Sequence, residues 1–302
     1  VPSLIRNTSG GKAVSGGPLA PRSRRGNNTD QINSYWSGGG PSVPVVEWLV
    51  IAGGGGGGLG ATGHSRWQGG GAAGGYRTGS GLELPASFTV TVGAGGSGGI
   101  RSNYAAPEYG NKGIASVFHT FTSAGGGSGA AGASSNPNKD GGSGGGGGGN
   151  ADFAGGTGNT PSTSPSQGNN GGNGYNFSPY YGGGGGGAGG VGGSGGGAGA
   201  GASSSITGSS VTRAAGGAGT VQFNGTNGGA NTGTGGSAGS WDNGTSGYVA
   251  GNGGSGVVII AYPDSYPALS SIGGGLTYSV SLVSRAGYRV YTFTAGTGTV
   301  TV

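Results

Sequence analysis

Six consecutive glycines occur three times in this chain, at residues 53–58, 144–149 and 182–187. Ordering a residue's backbone costs about 1–2 kcal/mol, and glycine loses the most freedom while burying no side chain in return. A helix is no refuge, because Gly costs ~1 kcal/mol per helical position relative to Ala. One arrangement turns the missing Cβ into an advantage. Polyproline-II-like rods can pack so closely that N–H and C=O groups of neighbouring rods bond each other, with Cα–H···O contacts added. At about 3.1 Å per residue each run makes a rod of about 19 Å, and equal lengths imply a slab of constant thickness. Further rods are expected within residues 69–75, 125–132, 189–201 and 228–239, and the segments between them become loops at the two ends of the slab. The competing reading of such runs is a flexible linker.

Glycine supplies 88 of 302 residues, whereas 31% are apolar and 7% charged. These proportions exclude an ordinary enzyme core and also the highly charged composition that solvates most disordered chains. Collagen is excluded because Gly comes in blocks and Pro numbers 13. The chain has no Cys, so disulfides, thiolate metal sites and cysteine nucleophiles are impossible. The longest apolar stretch, residues 43–52, is too short to span a bilayer and carries Pro44 and Glu47, so no membrane insertion is expected. The first thirty residues look unlike a secretory signal, which implies synthesis and assembly in the cytoplasm.

Charge is uneven. Arg6, Lys12, Arg22, Arg24 and Arg25 against Asp30 give residues 1–30 a net charge of 5 − 1 = +4, leaving 8 − 7 = +1 for the remainder. Arg22, Arg24 and Arg25 suit either a phosphate-binding arm or a tail docking on an acidic protein. The second is favoured because no base-reading motif accompanies them, and nucleic acid is not the expected partner. Tyr35 and Trp36 supply an aromatic anchor in the same arm.

Residues 45–51 (VVEWLVI) and 257–262 (VVIIAY) are continuous apolar runs abutting glycine-rich sequence, the pattern of fully buried strands, and are expected to pair as a clasp. Residues 88–92 alternate as a strand, and 117–122 (VFHTFT) form another β-prone run. Residues 276–282, 288–294 and 299–302, the last two joined by AGTG, predict a small antiparallel meander. The expected fold class is all-β and irregular, with almost no helix: a polyglycine-II bundle closed by short strands. The expected division is an extended basic arm at 1–44, the glycine-rich body at 45–262 and the C-terminal β-meander at 263–302.

The segments VEWLVIAGGGGGG (46–58), GGGAAGGYRTG (69–79), LPASFTVTVGAGG (84–96) and GNGGSGVVIIAYP (251–263) together resemble the glycine-rich domain of tail-fibre and related virion proteins of tailed bacteriophages. The closing GYRVYTFTAGTGTVTV (287–302) is similar to a β-segment that accompanies such domains. The likeness covers about residues 45–302, without a coiled coil or long fibre shaft. It implies a virion protein, with Arg22, Arg24, Arg25, Tyr35 and Trp36 anchoring it to other virion proteins. In the similar T-even-type adhesins, polyglycine-II rods present loops to the host surface, so a host protein or glycan is the implied partner of a homo-oligomer.

Catalytic chemistry is poorly represented. His64 and His119 are the only histidines, and their spacing from Asp140, Asp152 or Asp242 suggests no metal site. GxGxxG recurs by chance without the strand, helix and acidic residue of a dinucleotide site. Neither an enzyme nor a bound cofactor is expected. The aromatic residues between glycine runs are the receptor-binding candidates: Trp67, the cluster Tyr175, Phe177, Tyr180 and Tyr181, and Trp241 with Tyr248. Aromatic surfaces suit sugar rings and protein loops. Capping of exposed rod ends and contact between subunits are equally good uses of the same residues. A capsid decoration or fibre protein is accordingly the second reading, and a secreted glycine-rich matrix or ice-binding protein the third.

Overall fold

The computed structural model describes residues 43–60, 67–100, 108–132, 136–149, 154–175, 180–219, 224–240 and 249–302. Among these there are eleven strands and no helix. The two apolar runs become β1 (Val45–Ile51) and β8 (Val257–Pro263), paired antiparallel with Ile51 opposite Val257 and Glu47 opposite Ala261. Both faces of β1 are buried, which is why the run does not alternate. Val46, Trp48 and Val50 face a core with Phe88, Phe118, Ile260 and Phe293, while Leu49 and Ile51 meet Ala73, Ile206, Val257 and Ile259 on the other side.

The remaining strands are β2 (Tyr76–Glu83), β3 (Ser87–Val92), β4 (Ser116–Phe118), β5 (Phe121–Ser123), β6 (Ala202–Ser204), β7 (Val211–Arg213), β9 (Ser271–Ile272), β10 (Leu276–Ser281) and β11 (Tyr288–Thr301). The large sheet runs β2-β1-β8-β11-β3-β4-β5, with β9 and β10 also on β11, and β6 and β7 form a separate hairpin. Along β11, Tyr288–Phe293 pair with β8 and Gly296–Thr301 with β3. Because Gly296 faces both Val92 of β3 and Leu276 of β10, β3 and β8 share one edge of β11 and β10 takes the other. The two wings of the sheet then curl towards each other. Trp48 of β1 stacks on Phe121 of β5 at 4.1 Å, Ser123 Oγ donates to the Val50 carbonyl (2.9 Å), and Arg77 donates to the Thr122 carbonyl (3.2 Å). The sheet is nearly closed.

Rods leave the strands with a three-residue hydrogen-bonding period. The N–H groups of Gly53 and Gly56 donate to Ile114 and Asn111, those of Gly54 and Gly57 to Gly254 and Gly251, and those of Gly55 and Gly58 to Ala72 and Gly69. Falling partner numbers mark three antiparallel neighbours. The carbonyls of Gly53 and Gly56 accept from Gly126 and Gly129, those of Gly54 and Gly57 from Gly96 and Gly99, and those of Gly55 and Gly58 from Gly236 and Gly239. Rising numbers mark three parallel ones. Six rods therefore surround the first hexaglycine, and the three-fold repeat is that of polyglycine II. The other two hexaglycines keep the spacing: Gly144 and Gly147 donate to Asn169 and Gly172, and Gly183 and Gly186 to Gly147 and Gly144.

Several expectations are corrected in detail. VFHTFT is not one strand but the hairpin β4–β5, turned at His119, whose φ is 52°. AGTG is not a loop: β11 passes through it, bent at Gly296 (φ 91°) where its partner changes from β8 to β3. Residues 189–201 and 228–239 are not single rods, since the first doubles back through Gly196 (φ 91°) and the second through a turn over residues 230–233. β2 and the β6–β7 hairpin were not expected.

Glu47 at the start of β1 and Arg285 in the β10–β11 turn form a two-pronged ion pair at 2.7 and 2.8 Å, and Arg285 lies 3.7 Å over the Tyr288 ring. The Arg285 hydrogen bond and charge hold the Glu47 carboxyl below its ordinary pKa, against the opposing effect of burial.

Two predictions follow from the packing and the ion pair. A Cβ at Gly55 would fall on the Gly127 carbonyl, whereas one at Gly197 meets nothing within 4 Å. Gly55→Ala is expected to cost at least ~3 kcal/mol or abolish folding, and Gly197→Ala to change stability by less than ~1 kcal/mol, read from denaturant midpoints. A depressed carboxyl pKa stabilises the fold above the ordinary carboxylate range and ceases to do so as pH falls through the lowered value. With the Glu47 side chain 37% exposed, the pair is worth about 1 kcal/mol or less. The melting-temperature gap between wild type and Glu47→Gln should be small at pH 7 and close on acidification; a gap that widens in acid contradicts this.

Candidate functional site

Alternating rod directions sort the connections between two ends. One end carries the strands: β1, β3 and β5 lead into rods, and rods lead into β2, β4 and β8. At the other, far end stand the pairs Leu59 and Glu108, Gly58 and Gly239, Gly149 and Trp67, Tyr175 and Tyr181, Gly225 and Val249, each joined through backbone hydrogen bonds. Described residues that flank each interval outside the description, namely 60 and 67, 100 and 108, 132 and 136, 149 and 154, 175 and 180, 219 and 224, and 240 and 249, all belong to this far end.

Four of the receptor-binding candidates are described, and the fold brings them together here. Trp67 and Tyr180 meet edge-to-face at 4.9 Å, and Tyr175 and Tyr181 at 6.4 Å. Gly149 N–H donates to the Trp67 carbonyl and Tyr175 N–H to the Tyr181 carbonyl, both at 2.8 Å. All four rings are half-buried. The arrangement combines both uses of aromatic residues, since the rings cap rod ends through edge-to-face packing and still present surface to solvent. Phe177, Trp241 and Tyr248 lie outside the described residues, as do Arg22, Arg24, Arg25, Tyr35 and Trp36.

Sequence reasoning missed Ile100 and Val249, which bridge each other at the same end while 64% and 40% exposed. Ile100 follows Gly98 and Gly99, Val249 stands between Tyr248 and Ala250, and only the topology joins them. Their signal in the sequence is an apolar residue at the end of a glycine-rich run, outside any strand.

The strand end carries two clefts. One of about 590 Å³ lies between the Glu47–Arg285 pair, Thr78, Ser80 and the β6–β7 hairpin. The other, about 320 Å³, lies at the seam of the sheet over Trp48, Phe121, Arg77 and Pro165. Nearby, desolvation raises the Tyr76 pKa and lowers that of Arg213. Burial likewise pushes Tyr262 upward, inside the core. These shifts follow from packing of the sheet, and among the described residues lining either cleft no hydrogen bond joins a nucleophile to a base. Among the described residues there is no group of three or more His, Asp or Glu side chains able to hold a metal ion. The described residues contain no helix long and apolar enough to cross a membrane.

No curated protein matches the chain. A family model described as a glycine-rich domain matches residues 41–263, which includes every rod and the β1–β8 clasp. The chain belongs to the glycine-rich domain family.

Proposed function

We propose that this protein is a noncatalytic structural component of a tailed-phage particle, made in the host cytoplasm, that holds its far end towards a host surface for attachment. The carrying observation is the sorting of connections. One end of the rod bundle is sealed by a nearly closed sheet, while the other gathers Trp67, Tyr175, Tyr180, Tyr181, Ile100 and Val249 around the ends of the rods. Its described aromatic and apolar side chains suit stacking on sugar rings or packing on protein loops. The likeness of the four quoted segments to phage virion proteins supports placing it on a particle, with the basic residues 1–42 as the attachment to other virion proteins. A close-packed backbone bundle supports the display role because it holds the rod ends fixed without a side-chain core.

Binding to whole host cells tests this reading. A Tyr180→Ser/Tyr181→Ser variant, shown by circular dichroism to keep the β signature, is expected to lose at least about ten-fold in binding, as truncated aromatic anchors do. Retention of full binding removes these residues from the attachment surface. Absence of binding by either protein instead favours the subunit-contact role of a decoration protein.

A further inference from the structure

The edges of the large sheet are not treated alike. Unpaired strand edges invite pairing with another chain, and proteins blunt them with charge, brevity or cover. β2 carries Arg77, Glu83 and two glycines, and β5 has three residues; these two edges moreover face each other across the seam. β10 has none of these devices. It is six residues long and pairs with β11 alone, and residues 265–284 contain no charged side chain.

Its apolar face is also left uncovered. Leu276 reaches the core, and Tyr278 lies 5.9 Å from Phe293, yet Tyr278 is 45%, Val280 43% and Leu282 49% exposed. Val283 follows at 92%. Thr277, Ser279 and Ser281 alternate with them.

We propose that β10 is a homodimer edge, pairing antiparallel with β10 of a second copy about a two-fold axis at Ser279. The sequence LTYSVSL, residues 276–282, is palindromic in character about that residue. In this register Thr277 faces Ser281 of the second copy, Tyr278 faces Val280 and Ser279 faces itself, with Leu276 beside Leu282, the residue that follows the strand. Apolar meets apolar and hydroxyl meets hydroxyl on each face, and no like charges meet across the axis. A two-fold axis demands this self-complementarity, which an unrelated partner would not. The two sheets become one across the junction, with the exposed stripe of each β10 continued by the other.

The chain has no cysteine, so one introduced thiol reports on the pairing. Facing residues of antiparallel strands have Cα atoms about 4.5–5.5 Å apart, within disulfide reach. The protein is expected to sediment as a dimer, and Ser279→Cys to oxidise to a covalent dimer, whereas Ser162→Cys, at an exposed position in the loop of residues 160–166, does not. Ser279→Lys sets two ammonium groups opposite each other and is expected to weaken the dimer at least about ten-fold. If that variant misfolds, the near-isosteric Ser279→Cys carries the test. A protein that is monomeric at its highest soluble concentration overturns the proposal, and so does a dimer that Ser279→Cys fails to cross-link.

Discussion

Every other feature of the molecule depends on the hydrogen bonding of backbone groups between rods that have no side chains to keep them apart. In an ordinary domain, apolar burial offsets the entropy of ordering the chain. Here the first hexaglycine buries six residues without a Cβ, and its N–H and C=O groups bond rods on six sides. A net gain of about 1 kcal/mol per hydrogen bond is modest, but an unmade buried bond costs more than a made one returns. The bundle is therefore stable only if nearly complete. That requirement explains why a methyl group is excluded at so many positions: a Cβ at Gly53, Gly54, Gly56 or Gly57 would fall on the carbonyl of Ala94, Thr234, Ser97 or Ser237.

Rods alone lack a device that sets their register, since one glycine resembles the next. The sheet supplies it. β1 places Ala52 beside Gly75 and so fixes which glycine of the first rod meets which residue of the 69–75 rod. β8 and β3 do the same for the rods at 249–256 and 93–99 through their registers with β1 and β11. The hydrophobic cores are small, but a one-residue slip would move Val50 and Ile260 out of the core that holds Phe88 and Phe293 and into the opposite one. Side-chain packing thus chooses the register that the backbone bonds then lock.

Legibility in the sequence follows that division. The hexaglycines and the two continuous apolar runs are readable because each is a local pattern, and hexaglycine, once ordered, has one close-packed solution. β2 is not, since YRTGSGLE has neither alternation nor an apolar run. Its Gly79 is required by a distant residue: a Cβ there would stand 2.7 Å from the Trp48 indole. The Glu47–Arg285 pair joins residues 238 apart, and nothing at either position announces the other. His119 hides a tight turn inside a β-prone run, and Gly296 a bend within a strand, because positive φ is a property of position rather than of composition. At the candidate site, the aromatic cluster around residues 175–181 was legible as composition. That Trp67 joins it, and that Ile100 and Val249 share its end, depends on the alternating direction of the rods.

The separation of register from display has a consequence for what such a fold can carry. Register is set at the strand end, so the number of residues joining two rods at the far end does not alter which glycines meet. Lengthening such a connection costs only loop-closure entropy, about 0.6 kcal/mol per doubling. A change of one residue within a rod is a different matter, since it rotates every later glycine by a third of a turn and points its N–H at the wrong neighbour. Residues at the far end are consequently free to change in a way that the rods are not, and the stripe on β10 lies outside both constraints. One architecture can then keep its rods and its sheet constant while the surface at the far end is rewritten.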